Sequence, residues 1–249
     1  GKCYTLKSIM FEPNTKMDIK VITDIKDRRA VIIDNFYKNP DEIRELALSL
    51  EHNDSLELTG GLPGPRGIKD TLEVKEKLKD VYWHLCKNYF GLFNEEKFSE
   101  NWDNQIFMVN VLNDDTLKEK PLGIMPHQDY WESEPGPEFQ FGAVVYLNTP
   151  DECAGGTNLY SHYGNMSIPT DYQPQWLLSK YDNEKGFDDD VDFEYIKSRV
   201  DGNNPYTCEF EAEMVYNRMV LYQAEVLHGQ NVELGMFTDY NRINQVMFM

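Results

Sequence analysis

The chain has 249 residues, with 24 Lys and Arg against 43 Asp and Glu, a formal net charge of −19. That acid excess excludes a protein that grips the nucleic-acid backbone, which needs clustered Lys and Arg, and it disfavours anionic membrane surfaces for the same reason. An apolar share of 41% with 13% aromatics belongs to a folded globular protein, and no run of about eighteen apolar residues offers a membrane span.

The first residues, Gly1-Lys2-Cys3-Tyr4, show no apolar secretory core behind their charge. Residues 30–37, rich in β-branched side chains, predict a buried strand. Asn39-Pro40-Asp41-Glu42 then reads as a helix start, with Asn as cap, Pro at the first helical position and acids in the first turn. Ile43, Leu46, Ala47 and Leu50 continue it as one apolar face. The Gly- and Pro-rich stretch Glu57–Asp70 reads as a loop. A second helix follows over Leu72–Tyr89, buried along Leu78, Val81, Tyr82 and Leu85, with His84 beside that stripe as a partly buried structural histidine.

From Gln105 the pattern changes to short β-type segments: 105–112, 122–130, 139–148, 156–163, 207–216, 218–227 and 241–249. Strands so regularly punctuated predict a sandwich or jelly roll. Between them, 164–206 is too long for an ordinary loop and reads as a lid carrying a short helix, with Phe193, Ile196 and Val200 on one face. Its acid run, Asp188-Asp189-Asp190 with Asp192, reads as a solvated face. With no repeat and no low-complexity linker, 1–249 reads as one domain: a strand and helices over 1–104, then a β core over 105–249. Cys3, Cys86, Cys153 and Cys208 lie far apart with no CxxC pair, so they read as reduced thiols of a cytoplasmic protein rather than a disulfide scaffold or a zinc knuckle.

Of five histidines, His127 stands in Pro126-His127-Gln128-Asp129-Tyr130, at the end of a predicted strand. Residues i and i+2 of a strand project to one face, so His127 and Asp129 can turn toward one metal ion. The best candidate for a third ligand is His228, which closes the segment 220–227 and precedes Gly229. Two histidines and one carboxylate leave three positions open, the arrangement of non-haem Fe(II) oxygenases. A zinc hydrolase can use the same ligand types, although the helical zincin signature is absent. Standing alone, His127 and Asp129 would also fit an ordinary hydrogen-bonded pair at a strand end.

The sequence resembles the Fe(II)/2-oxoglutarate-dependent dioxygenases, closest to their prolyl-hydroxylase-like branch. Four features carry the resemblance, in order: His127-Gln128-Asp129 as the HxD motif; Phe141 to Asn148 as the strand after it, with a tyrosine before Leu-Asn; Glu152 to Leu159 around a Gly-Gly turn; and His228 followed by Arg242-Ile243-Asn244-Gln245-Val246. It covers roughly 105–249, and more weakly 30–50. It implies a double-stranded β-helix of the jelly-roll or cupin type, mainly β with N-terminal helices on the outside of its larger sheet (α+β). It also implies Fe(II) on His127, Asp129 and His228, with O₂ and 2-oxoglutarate as co-substrates and Arg242 gripping the distal carboxylate of the latter. Tyr146 would donate its hydroxyl to the same group, and Asn244 and Val246 would line the chamber. Plain surface pairing for Arg242 and core packing for Tyr146 are the alternatives. The implied reaction is hydroxylation of an amino-acid, peptidyl or other small-molecule substrate, with succinate and CO₂ released. The acidic charge favours a cationic or neutral substrate over nucleic acid. A non-catalytic metal-binding or structural protein on the same fold is the rival. Fourteen positions separate His228 from Arg242, so the segment 231–240 must absorb a long connection. His162, Tyr130 and Trp131 are further candidates for the substrate mouth, packing explaining each equally well.

Overall fold

A computed structural model describes residues 10–25, 28–53, 65–129, 139–168, 172–202 and 205–249. Two antiparallel strands open the chain, β1 (Asp18–Ile25) and β2 (Arg28–Asp34). Helix α1 (Pro40–Ser49) begins at Pro40 as its sequence predicts, but Asn39 makes no side-chain cap bond. Next come the short β3 (His52–Asn53) and β4 (Arg66–Lys69), then α2 (Leu72–Tyr89) and α3 (Glu95–Asp103). The expected loop over Glu57–Asp70 is corrected by β4: Arg66–Lys69 pair with β5 (Phe107–Leu112), a tertiary contact that outweighs local Gly and Pro content. On α2, His84 is exposed rather than partly buried, turned out beside the ring of Trp83.

After α4 (Asp114–Glu119) the chain makes a 3₁₀ turn, Pro121–Ile124. A strand over 122–130 was expected, and the described part is not one. Pro121 and Pro126 have no N–H to donate, so residues 125–129 run extended without a ladder. Then follow β6 (Phe141–Tyr146), β7 (Gly156–His162), α5 (Gln175–Leu178), the hairpin β8 (Tyr181–Asp182) and β9 (Gly186–Phe187), and α6 (Phe193–Asp201). The chain closes with β10 (Tyr206–Glu213), β11 (Met219–Gln223), β12 (His228–Asn231) and β13 (Arg242–Phe248).

Eight strands form one antiparallel sheet in the order β1-β2-β11-β6-β13-β5-β4-β3, and three form a smaller one, β10-β7-β12. Alternation along the large sheet decides what each face meets. Val31, Ile33, Ala143, Val145, Leu221 and Ile243 join Ile43 of α1, Leu78, Tyr82 and Leu85 of α2, and Trp102 of α3 in one apolar core. From the opposite face, Ile32, Val144, Tyr146, Val220 and Val246 join Leu159 and Ala212 of the small sheet in a second. Helices thus cover one side of the large sheet and the small sheet covers the other. No helix among the described residues is long and apolar enough to cross a membrane.

The small sheet approaches closely because of two glycines. Gly155 and Gly156 have φ of +61° and +153°, and a Cβ on them would stand 1.9 Å from the Asn231 carbonyl oxygen and 2.0 Å from that of Ala212. Within 164–206, Leu177, Phe193, Ile196 and Val200 are buried in the second core, so those helices are packed parts of the body. Asp192 caps α6 by accepting from Tyr195 N at 2.8 Å, and Asp188 and Asp190 pair with Lys180. Cys86, Cys153 and Cys208 are free thiols; Cys3 lies outside the described residues.

The long connection from β12 to β13 is tied to α4. The buried Asp114 carboxylate accepts from Gly235 N (2.7 Å), Phe237 N (3.3 Å) and Thr238 Oγ1 (3.0 Å). Removing it leaves buried donors unpaired, so Asp114→Ala should lower unfolding stability by about 2–4 kcal/mol in a urea titration. A loss under about 0.5 kcal/mol would mean that buried Val232 and Phe237 hold the connection without it.

Candidate metal centre

The structure brings His127, Asp129 and His228 together: one ligand atom from each lies within 4.8 Å of the others. Main-chain bonds place them. His127 N donates to His228 O and His228 N to His127 O, both at 2.9 Å, and Asp129 N donates to Ala224 O at 2.8 Å. The sequence expectation that His228 ends a strand over 220–227 is corrected. β11 stops at Gln223, the chain turns through 224–227, and His228 opens β12 in the other sheet. Val226 and Leu227 are wholly buried in the turn, so their apolar character could not reveal the change of direction.

Each imidazole is oriented by a backbone carbonyl two residues before it. His127 Nδ1 lies 3.1 Å from Met125 O, and His228 Nδ1 lies 2.9 Å from Val226 O. A carbonyl only accepts, so both Nδ1 atoms carry a proton, which makes Nε2 the ligating atom of each ring, on His228 once a metal replaces the proton shared with Asp129. Nε2 of His127 is 3.9 Å from Asp129 Oδ1, and Nε2 of His228 is 3.3 Å from Oδ2. Three atoms about 2.1 Å from one ion stand roughly 3 Å apart at right angles, so small shifts seat a metal. Although within ion-pair reach of His228, Asp129 Oδ2 is buried without a hydrogen bond among the described residues. Such an orphan acceptor is destabilising unless a cation takes it.

Electrostatics prepare the same set. Burial drives the His127 imidazole down to about 4, and the neighbouring His228 adds to this, so it is neutral and able to ligate near pH 7. For the facing pair, burial opposes both charges but mutual attraction wins. Asp129 is held below the usual carboxylate range and His228 above the usual imidazole range. The ring of Tyr222 packs on His228, centroids 4.4 Å apart. Gly142 gives Asp129 its room: a Cβ there would stand 2.8 Å from both Asp129 Oδ2 and Tyr222 Cε2.

The three open onto a cavity of about 60 Å³ that Arg66, Asn110, Thr157, Tyr222, Arg242 and Asn244 also line. Arg242 is 2% exposed; Nη1 donates to Asn244 Oδ1, Nη2 to Gly156 O at 3.2 Å, and Nε has no partner among the described residues. Its hydrogen-bond partners are neutral, so it is a buried cation without a bonded counter-ion among the described residues. Tyr146 stands one layer back. Its hydroxyl donates to Ala212 O (3.3 Å) and pairs with the Thr157 hydroxyl (2.7 Å), and its ring faces the Arg242 guanidinium at 5.8 Å. It therefore supports Arg242 and does not line the cavity. His162, among the rings of Tyr163, Tyr172 and Tyr206, does not line it either. Tyr130 and Trp131 lie outside the described residues. Arg66, Asn110 and Tyr222 were missed from sequence: Arg66 sits in the supposed loop, and the other two read as ordinary strand residues.

Fold and site together define a mainly β protein with helices and a His-Asp-His group able to bind a metal. The chain belongs to a family of unknown function, DUF6445, which matches residues 13–240. No curated protein matches it. Among solved structures it is similar to an N-substituted L-amino acid dioxygenase from Burkholderia ambifaria AMMD, at 10% identity over 88% of this chain and 81% of that one, with a TM-score of 0.39. It is also similar to AviO1 from Streptomyces viridochromogenes Tue57 (9%, 87% and 88%, 0.34) and to EvdMO1 (10%, 95% and 55%, 0.28).

Isothermal titration with Mn(II) should show one site in the native protein and none in His127→Ala or His228→Ala, with unchanged far-UV circular dichroism. Unfolding of either variant would instead make the group a structural element. Gly142→Ala removes no ligand but crowds Asp129, so Mn(II) affinity should fall about 10- to 100-fold. Unchanged affinity would show that the carboxylate does not need this space.

Proposed function

We propose that the protein is a non-haem Fe(II)- and 2-oxoglutarate-dependent oxygenase on a double-stranded β-helix, hydroxylating an amino-acid, peptidyl or related small-molecule substrate. One observation carries the reading: a two-histidine, one-carboxylate set shares one cavity with a buried guanidinium that has no bonded counter-ion among the described residues. The donor set suits a first-row metal with positions left for other ligands. Two sheets facing one another around that cavity support the fold assignment.

Fe(II), held by His127, Asp129 and His228, would supply the oxidising chemistry, with O₂ and 2-oxoglutarate consumed and succinate and CO₂ released. The chain's own residues do the rest. Arg242 offers a planar fork to a carboxylate, removing an otherwise unfavourable buried charge. Asn244 and the Gly156 carbonyl hold that fork at one angle, with Tyr146 against its face. Val144, Val246 and the Tyr222 ring give the cavity apolar wall, which keeps water from the reacting groups.

Adding Fe(II) and then 2-oxoglutarate anaerobically should produce a weak visible charge-transfer band that needs both. Arg242→Gln should retain iron binding while its 2-oxoglutarate affinity falls at least tenfold. Iron binding without a band in the native protein would overturn the co-substrate assignment. No iron binding would leave a structural protein on this fold.

A further inference from the structure

Arg66 is a second buried cation on the same cavity, and nothing in the oxygenase reading gives it work. It is 7% exposed on β4, Nη1 lies 3.2 Å from the thioether of Met108, and Nε has no partner among the described residues. A thioether is a weak acceptor, so the guanidinium is close to unsatisfied. Asp129 attracts it electrostatically but forms no ion pair with it among the described residues, both carboxylate oxygens facing the histidines.

Sheet register separates Arg66 from the Arg242 position. Arg66 stands opposite Asn110, Asn110 opposite Asn244, and Asn244 opposite Tyr146, a polar row across four strands. Arg242 lies two residues along β13 from Asn244. β4 is two strands from β13, about 10 Å across the sheet. The two guanidinium groups are thus rooted at different points. Arg242 is tied to the Gly156 carbonyl, whereas Arg66 lies within the field of the metal-ligating carboxylate. Asn110 Oδ1 also lacks a partner among the described residues.

A charge count then points to a ligand. A divalent ion, Asp129, a dicarboxylate co-substrate and Arg242 cancel one another. Arg66 is the positive charge left over, and a buried charge left unpaired is strongly unfavourable. We propose that Arg66 is the anchor for the substrate itself, which carries a carboxylate that the guanidinium fork grips beside the metal centre, with the Asn110 amide alongside. The proposal rests on the oxygenase reading and narrows it to small acids, free amino acids included, against neutral peptide segments. It also reverses the substrate sign that the net charge of −19 suggested.

The test uses the 249-residue chain loaded with Mn(II), which supports binding without turnover, and saturated with 2-oxoglutarate so that Arg242 and the chelating positions are engaged. Matched pairs of carboxylic acids and their primary carboxamides, straight-chain acids and the common L-amino acids, are added and thermal stabilisation is read. At least one acid should stabilise the native protein where its amide does not. Arg66→Gln should weaken that acid at least tenfold, with Mn(II) and 2-oxoglutarate affinities within about twofold of native. Arg66→Lys, which keeps charge but loses the fork, should fall between and guards against a folding defect in the first variant. Acids and amides binding alike, or no acid binding at all, overturns the proposal. So does loss of 2-oxoglutarate affinity in Arg66→Gln, which would assign Arg66 to the co-substrate. If 2-oxoglutarate fails to bind the native protein, the oxygenase reading falls first and takes this one with it; if it binds and the acid preference is missing, only the substrate anchor is wrong.

Discussion

The reciprocal pair of main-chain hydrogen bonds between His127 and His228 is the constraint on which the site depends. Residues 125–129 belong to no sheet, and Pro126 has no N–H to give one. Two bonds at His127, one from Asp129 N and a reciprocal pair between the Gln128 amide and the Ile168 backbone fix that extended segment against the rest of the chain. They set the two imidazole rings 4.4 Å apart and turn Asp129 between them. The side chains are then oriented from within their own segments, each histidine by the carbonyl two residues earlier. Precision at the centre thus comes mainly from backbone hydrogen bonds, with the Gln128 amide adding to them.

Charge is divided in a way the total conceals. Acidic side chains lie mostly at the surface, where several cap helices or pair with lysines, while the cavity holds two buried guanidinium groups against one carboxylate. A net charge governs solubility and long-range approach; what a cavity accepts is decided by the few groups that line it. An anionic ligand must cross an unfavourable outer field before it meets a favourable inner one, so its association should quicken as salt screens the former.

Local pattern in the sequence was enough to locate α2 to the residue and to identify the apolar face of α6, because helical periodicity there coincides with the buried side. Along β6, Ala143 and Val145 join one core and Val144 and Tyr146 the other, since a strand between two cores has to send successive side chains to different ones. His127, Asp129, His228 and Arg242 were identified as residues that meet. What stayed hidden depends on long-range pairing. β4 exists because β5 offers it hydrogen bonds, and no local signal marks Arg66 as inward. In the passage from β11 into the small sheet at 224–227, Ala224, Val226 and Leu227 are buried, so composition does not distinguish turn from strand. Tyr146 was expected to reach the co-substrate and instead packs in the second core, because the Thr157 hydroxyl that stands between it and the cavity comes from another sheet.

The ligand group also has a topological consequence. His127 and His228 are about a hundred residues apart in sequence, in segments joined otherwise by those few hydrogen bonds. An ion shared by them would act as a removable cross-link, closing a very long loop of chain. For a covalent link over a hundred residues, the chain-entropy estimate of stabilisation is about 4.7 kcal/mol. Occupancy of the centre would then regulate how readily residues 125–129 come away from β12, making metal supply a determinant of the protein's lifetime.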